Sequence, residues 1–356
     1  MFFSRTAETD ITLQLFSQNN IVFFPKRDLL KRHSILKYLR QVFVWIPAVK
    51  LCRRKQRIIM KDKGKLTGHL LAVFAVLVWG TTFISTKVLL KSFSAYEIII
   101  FRIFLAYIVL FLIRPKPFKF AGFKKELLYF AAGVTGVSVY QVMENLALEC
   151  AYASTTSVVI AAAPMFTAIF ASLAFKDEKL HWNFFAGFVI AMAGISLVSL
   201  KSSDFGFSLK GTLLALAAAA LWGVYSVICR KMNSAEDDMV LVTRRIFLYG
   251  GIVMIPMYFI FDCKMGLHRF TAPLNLLNIV YLGVVASAIC FIAWNTAVKK
   301  AGVITTGLYV YVIPVVTVIF SAIILNEKPG WKMFAGTALV LAGLFISAGK
   351  GGTDHG

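Results

Sequence analysis

The sequence predicts an all-α polytopic membrane protein, with ten transmembrane helices arranged as two inverted five-helix repeats. Three observations carry this prediction. The 356-residue chain is 59% apolar and only 15% charged, and its mean hydropathy of +0.76 is far above that of a soluble domain this size. Its apolar residues fall into runs of about 18 to 25, the length a hydrocarbon core about 30 Å thick requires of a helix. The second half of the chain then repeats the first, in order.

The runs are Leu66–Leu90, Ala95–Ile113, Leu127–Leu148, Ser154–Phe175 and Trp182–Leu200, then Gly211–Cys229, Met239–Phe261, Leu276–Val298, Gly302–Leu325 and Trp331–Ala348. In hydrocarbon an unpaired backbone group costs several kcal/mol, so each run closes its own hydrogen bonds as a helix. Barrel strands would be half as long and alternate in polarity, and no such alternation is present.

The repeat is visible residue by residue. Trp79-Gly80 returns as Trp222-Gly223, and Arg102-Ile103-Phe104-Leu105 as Arg245-Ile246-Phe247-Leu248. Asn145, Thr155-Thr156, Pro164 and Phe170 match Asn295, Thr305-Thr306, Pro314 and Phe320. Glu178-Lys179, Trp182, Phe185-Ala186-Gly187 and Gly194 match Glu327-Lys328, Trp331, Phe334-Ala335-Gly336 and Gly343. The organisation is therefore a basic amino-terminal extension (1–65), a first repeat (66–200), a connector (201–210), a second repeat (211–348) and a tail (349–356).

Five crossings per copy force the second copy to enter the membrane from the opposite side. Charge fixes the orientation: connectors on the side of the amino terminus hold 12 Lys and Arg against 8 on the other, with Lys87 and Lys332 at the adjoining helix ends counted among the 8, and another 15 precede Leu66. The sequence thus predicts a multi-pass protein of the inner (plasma) membrane with both termini cytoplasmic.

The extension has two readings. Lys31, Arg32, Lys37, Arg40, Arg53, Arg54, Lys55 and Arg57, set among Leu29, Leu30, Leu36, Leu39 and Phe43, fit a basic amphipathic helix on anionic lipid. The favoured reading is a start codon placed too early, because Met60-Lys61-Asp62-Lys63-Gly64-Lys65 resembles a short basic start just before the first span. It is not a cleavable signal, since too long a basic segment separates Phe24 from the first long apolar run.

The net charge of +21 sits in these connectors and in the extension, with no interleaved basic and aromatic surface, so nucleic acid is excluded as a partner. The five cysteines show no C-x-x-C spacing and read as small apolar fillers; Cys150 and Cys263, near one face, are the pair that could form a bridge. No metal or cofactor is expected, since nucleotide-binding loops are missing and His33, His69, His181, His268 and His355 all fall in loops, tails or span ends.

Charge inside a membrane is costly, which makes Arg102, Glu144, Arg244 and Arg245 the first functional candidates. Arg102 and Glu144 have similar depths, predicting an ion pair that serves either as a proton or cation relay or as a lock between helices. Glu144 is replaced by Trp294 in the second copy, an asymmetry that packing does not demand. Gly133, Gly136, Tyr140 and Glu144 form one helical stripe, facing either a cavity or a neighbouring helix. Asn145 and Asn295 can bond backbone or substrate.

Trp79, Trp222, Tyr225, Trp294, Tyr309 and Tyr311 are candidates for a cavity wall, with at most one of Tyr309 and Tyr311 facing inward; packing is the competing explanation. Trp182 and Trp331 read as interface anchors. Pro164 and Pro314 occupy equivalent places, and paired breaks in inverted repeats point to a binding site and its hinges, unless they are static kinks. Gly187, Gly194, Gly336 and Gly343 mark close helix contact.

These duplicated features, the Trp-Gly openings, the Arg in helices 2 and 7, the paired prolines, and Glu178 and Glu327 before each closing Gly-rich helix, resemble the EamA-type transporters of the drug/metabolite transporter superfamily, over about Lys65 to Lys350. The resemblance implies a central cavity lined mainly by helices 1, 3, 4, 6, 8 and 9, alternating access, and export of amino acids or related metabolites. The expected partners are a small-molecule substrate, the lipid bilayer and protons, in a monomer or homodimer. The alternatives are an uptake permease of the same fold and, from another class, an intramembrane lipid-modifying enzyme, for which no cluster of catalytic groups is apparent.

Overall fold

The computed structural model describes residues 2–5, 11–17, 20–24, 64–176, 180, 182–199, 208–232, 238–261, 263–264, 266–327 and 330–348. The chain divides into two units, Met1–Lys63 and Gly64–Gly356.

The first unit lies outside the two helical repeats. It holds three short antiparallel strands, β1 (Phe2–Arg5), β2 (Ile11–Ser17) and β3 (Asn20–Phe24), in the order β1-β2-β3. Their registers place Phe3 opposite Leu13 and Leu15 opposite Val22. The cause is local: Ile11, Leu13 and Leu15 recur at every second residue, the period of a strand rather than of a helix. The basic helix expected around Leu29 to Arg57 lies outside the described residues, as do the 349–356 tail, Glu178 and most of the 201–210 connector.

Among its described residues the regular elements of the second unit are all helical. Its rods are α1 (Gly64–Leu89), α2 (Ala95–Ile113), α3 (Phe123–Ala132, a π turn Gly133–Ser138, then Val139–Cys150) and α4 (Ala153–Ile160 and Ala163–Ala174). Next come α5 (Trp182–Ser199), α6 (Leu209–Met232) and α7 (Met239–Ile260). Last are α8 (Pro273–Val280, a π turn Tyr281–Ile289, then Cys290–Ala301), α9 (Val303–Leu308, a 3-10 turn Tyr309–Tyr311, then Val312–Ile324) and α10 (Trp331–Ala348).

Seven of these are long and apolar enough to cross a membrane, and Trp182–Leu197 and Trp331–Gly343 are shorter apolar helices. The third apolar run is absent from the seven because α3 opens on Lys124, Lys125 and Glu126 and carries Gln141, Glu144 and Asn145. Large apolar side chains such as Phe104, Leu173, Phe259 and Ile323 are exposed, as expected of a surface that faces lipid. Trp182 and Trp331 are exposed as well.

Local chemistry sets the helix ends. Ser94 and Glu97 close a capping box at the start of α2, with Ser94 Oγ accepting from the Glu97 amide at 3.2 Å and Glu97 Oε2 accepting from the Ser94 amide at 2.9 Å. Asp238 caps α7 by accepting from the Val240 amide at 3.0 Å.

Glycines let the helices cross closely. A Cβ on Gly194 would lie 2.7 Å from the Gly336 carbonyl, and one on Gly343 would lie 2.5 Å from the Gly187 carbonyl. Likewise Gly80 abuts Val316 and Ile313, while Gly223 abuts Phe166 and Thr167. Gly80 with Val316 thus matches Gly223 with Phe166, and Gly194 with Gly336 matches Gly343 with Gly187, in equivalent positions of the two halves.

The prolines do not kink continuous helices. In α4 the rod breaks at a turn over Ala161 and Ala162, and Pro164 starts the next segment, where its missing amide would have had no partner anyway. In α9 the break is the 3-10 turn Tyr309–Tyr311, just before Pro314.

Candidate functional site

A cavity enclosing about 480 Å³ of empty space, its mouth included, lies where α1, α2, α3, α4, α6, α8 and α9 converge. One wall is aromatic. Trp79 on α1 and Trp222 on α6 meet edge to face with centroids 5.2 Å apart, Phe291 packs 5.6 Å from Trp79, and Tyr140 packs 5.1 Å from Trp222. Ile160, Ala163, Val310 and Ile313, at or beside the breaks in α4 and α9, complete the lining.

The π turns position this wall. Inserting one residue into a helix frees backbone carbonyls, and such turns recur at functional sites. In α8 the Trp79 indole donates to the Ala286 carbonyl at 3.0 Å, which fixes the ring over the cavity. In α3 the Ser138 hydroxyl donates to the Gly250 carbonyl of α7 at 2.7 Å. The turn also splits the expected stripe: Gly133 packs on Gly250 and Gly136 on Tyr225, while Tyr140 and Glu144 face the cavity.

Arg102, Gln141 and Glu144 line the cavity together with the hydroxyl-bearing Thr82 and Tyr140. Arg102 is 4% exposed; its Nε donates to Ser287 Oγ on the α8 π turn at 2.6 Å, while its Nη1 has no partner. Tyr140 and Arg102 are the polar and charged groups beside the Glu144 carboxyl.

The expected Arg102–Glu144 ion pair is corrected. Arg114–Asp238, Arg245–Glu126 and Arg269–Glu97 form ion pairs, whereas Arg102 turns its Nε to Ser287 of α8 and stands beside the Glu144 carboxyl as a neighbouring charge. Cys150 and Cys263 are not joined in a disulfide.

Of the residues expected at the cavity, Trp79, Tyr140, Glu144 and Trp222 line it. The others are held elsewhere. The Asn145 amide donates to the Ala95 carbonyl at 3.1 Å, tying α3 to α2. Asn295 accepts from the Tyr225 hydroxyl at 2.9 Å and donates to Thr243 at 3.0 Å, so Asn295 and Tyr225 join α6, α7 and α8. Trp294 packs at a tilt against Trp79 and Trp222, and the Tyr309 hydroxyl pairs with His69 Nδ1 at 2.9 Å.

Gln141 went unnoticed because a neutral amide in an apolar helix reads as packing. Its spacing was a usable signal, since it precedes Glu144 by three residues and so shares its helix face. Ser287 and Phe291 gave no signal in sequence.

Both ends of the bundle are clasped. At the Leu89 end, Glu327, 9% exposed, accepts from the Ala153 amide at 2.8 Å, the Ser154 amide at 3.2 Å and Ser154 Oγ at 2.6 Å, so a residue of the second copy caps a helix of the first. Nearby, Arg269 holds both oxygens of Glu97 at 2.9 Å. At the opposite end, Arg245 pairs with Glu126 at 3.1 Å and Arg244 donates to the Arg114 and Lys116 carbonyls. Burial acts to raise the Glu126 carboxyl, but the Ala121 amide, the Tyr249 hydroxyl and the Arg245 guanidinium together hold it below the ordinary carboxylate range.

The EamA-like transporter family matches residues 66–200 and again 209–349. The chain is 28% identical over 292 residues to an uncharacterized transporter of Archaeoglobus fulgidus, covering 79% of this chain and 97% of that one. It is 26% identical over 277 residues to the probable terminal-alkyne amino-acid exporter of Streptantibioticus cattleyicolor, covering 77% and 91%. A solved crystal structure superposes with a TM-score of 0.58 at 21% identity, covering 80% of this chain and 96% of that one, a likeness of fold. With two tandem matches spanning the helical unit, the protein is a multi-pass membrane transporter rather than an enzyme, and it belongs to the EamA-like transporter family.

Proposed function

We propose that this transporter exports small organic metabolites of the amino-acid type across the inner membrane by alternating access, with Glu144 carrying a coupling proton. The observation that carries the reading is the buried cavity, which sets an unpaired Arg102 Nη1 and the Glu144 carboxyl against an aromatic wall. A solute carboxylate suits the guanidinium, a solute ammonium suits the carboxylate, and the rings suit an organic body. The relative from Streptantibioticus cattleyicolor supports an amino-acid substrate and outward direction.

The reading includes ten crossings in two inverted repeats, with both termini cytoplasmic. Its support is the exchange of equivalent partners, Gly80 with Val316 against Gly223 with Phe166, and Gly194 with Gly336 against Gly343 with Gly187. Reciprocal contact of this kind is the mark of a two-fold axis between copies. The excess of Lys and Arg in the connectors on the amino-terminal side supports the orientation. Alternating access then rocks α4 and α9 about the breaks near Pro164 and Pro314, while the clasps at the two ends close in turn.

Counterflow in proteoliposomes tests this. Preloaded amino acid should accelerate entry of labelled amino acid, and an imposed proton gradient should drive net movement. Non-saturable flux with no counterflow would refute a carrier.

A further inference from the structure

On the reading of this cavity as the solute site, we propose that Gln141 decides which side chains are accepted, its carboxamide pairing with a neutral solute group that both donates and accepts a hydrogen bond. Solutes ending in a carboxamide are thereby selected over solutes of the same shape ending in hydrocarbon.

Gln141 is 1% exposed, and neither its Nε2 nor its Oε1 has a hydrogen-bond partner, although both atoms are buried. A carboxamide offers two donors and a two-lone-pair acceptor, and buried polar groups are almost always paired. The neighbouring amides obey that rule on at least one side: Asn295 is bonded through both its oxygen and its nitrogen, and Asn145 through its nitrogen. Gln141 alone of the three lines the cavity.

The repeat sharpens the point. At the offset that matches Glu144 with Trp294, Gln141 corresponds to Phe291, and both line the same cavity. The fold therefore accommodates a hydrocarbon side chain at the equivalent place, so packing does not require an amide at 141. Arg102 Nη1, the other unpaired donor in the cavity, suits an anionic group and leaves Gln141 to read the rest of the solute.

Asparagine and leucine form the test pair, since their side chains share a branched shape and differ in carboxamide against methyls. The full chain in proteoliposomes should carry labelled asparagine at least about tenfold better than leucine, because sites built to hydrogen-bond a group reject analogues lacking it. Gln141→Leu and the near-isosteric Gln141→Met should abolish or invert that preference, read as the ratio of asparagine to leucine counterflow. In detergent, asparagine should raise the melting temperature of the unmodified protein more than leucine does, a readout independent of transport and of the variants. Equal stabilisation by the two solutes, equal wild-type flux, or an unchanged ratio in either variant overturns the assignment of Gln141 alone. Binding of asparagine without flux of any amino acid refutes the transport reading instead.

Discussion

The Glu327 clasp yields a quantitative prediction. Its carboxylate takes three donors from the start of α4, two amides and one hydroxyl, between 2.6 and 3.2 Å. Hydrogen bonds to a charged group contribute about 1.5–3 kcal/mol each, but three on one carboxylate are not additive, and the helix end regains some water when the side chain is removed. Glu327→Ala should therefore cost about 3 kcal/mol, and Ser154→Ala, which removes only the hydroxyl, about 1 kcal/mol. In a double-mutant cycle the two should couple by about 1 kcal/mol, above the ~0.5 kcal/mol scatter of independent sites. Equilibrium unfolding in mixed micelles, followed by the fluorescence of the chain's 6 tryptophans, measures all four proteins. Additivity within that scatter would refute the clasp.

Other outcomes follow from the same geometry. Glu144→Gln should retain counterflow while net flux loses its pH dependence, and a preserved pH dependence in vesicles would exclude Glu144 as the proton carrier. Gly80→Val should cost about 1–3 kcal/mol and slow exchange, since its Cβ would lie 2.6 Å from Val316; a wild-type exchange rate would contradict this contact. The Glu126 carboxyl is depressed in the fold, so its contribution is present above the ordinary carboxylate pKa near ~4.3 and is lost as pH falls through the lower folded value. Acid unfolding of Glu126→Gln should accordingly show a smaller loss of stability below about pH 4 than the unmodified protein does.

Much of the fold was legible because a bilayer leaves few choices. An apolar run of sufficient length must be a helix, so Ala95–Ile113 was bounded to the residue and other runs to within a few. Order of matched residues revealed the duplication without coordinates, and Trp79, Tyr140, Glu144 and Trp222 stood out as polar or aromatic groups in hydrocarbon. Such residues announce themselves through cost, which is a one-dimensional quantity.

What the sequence could not decide was direction. The π turn at Gly133–Ser138 shifts the helical phase, so Gly133 and Gly136 face α7 and α6 while Tyr140 and Glu144 face the cavity, against the constant period assumed from spacing. Whether Asn145 reached a solute or the Ala95 carbonyl, and whether Arg102 turned to Glu144 or to Ser287, depended on which neighbouring helix stood closer. Sequence determined which residues are expensive to bury, because that is a property of each side chain; only tertiary structure decided who their partners are, because partnership is set by helix phase and by neighbours distant in the chain.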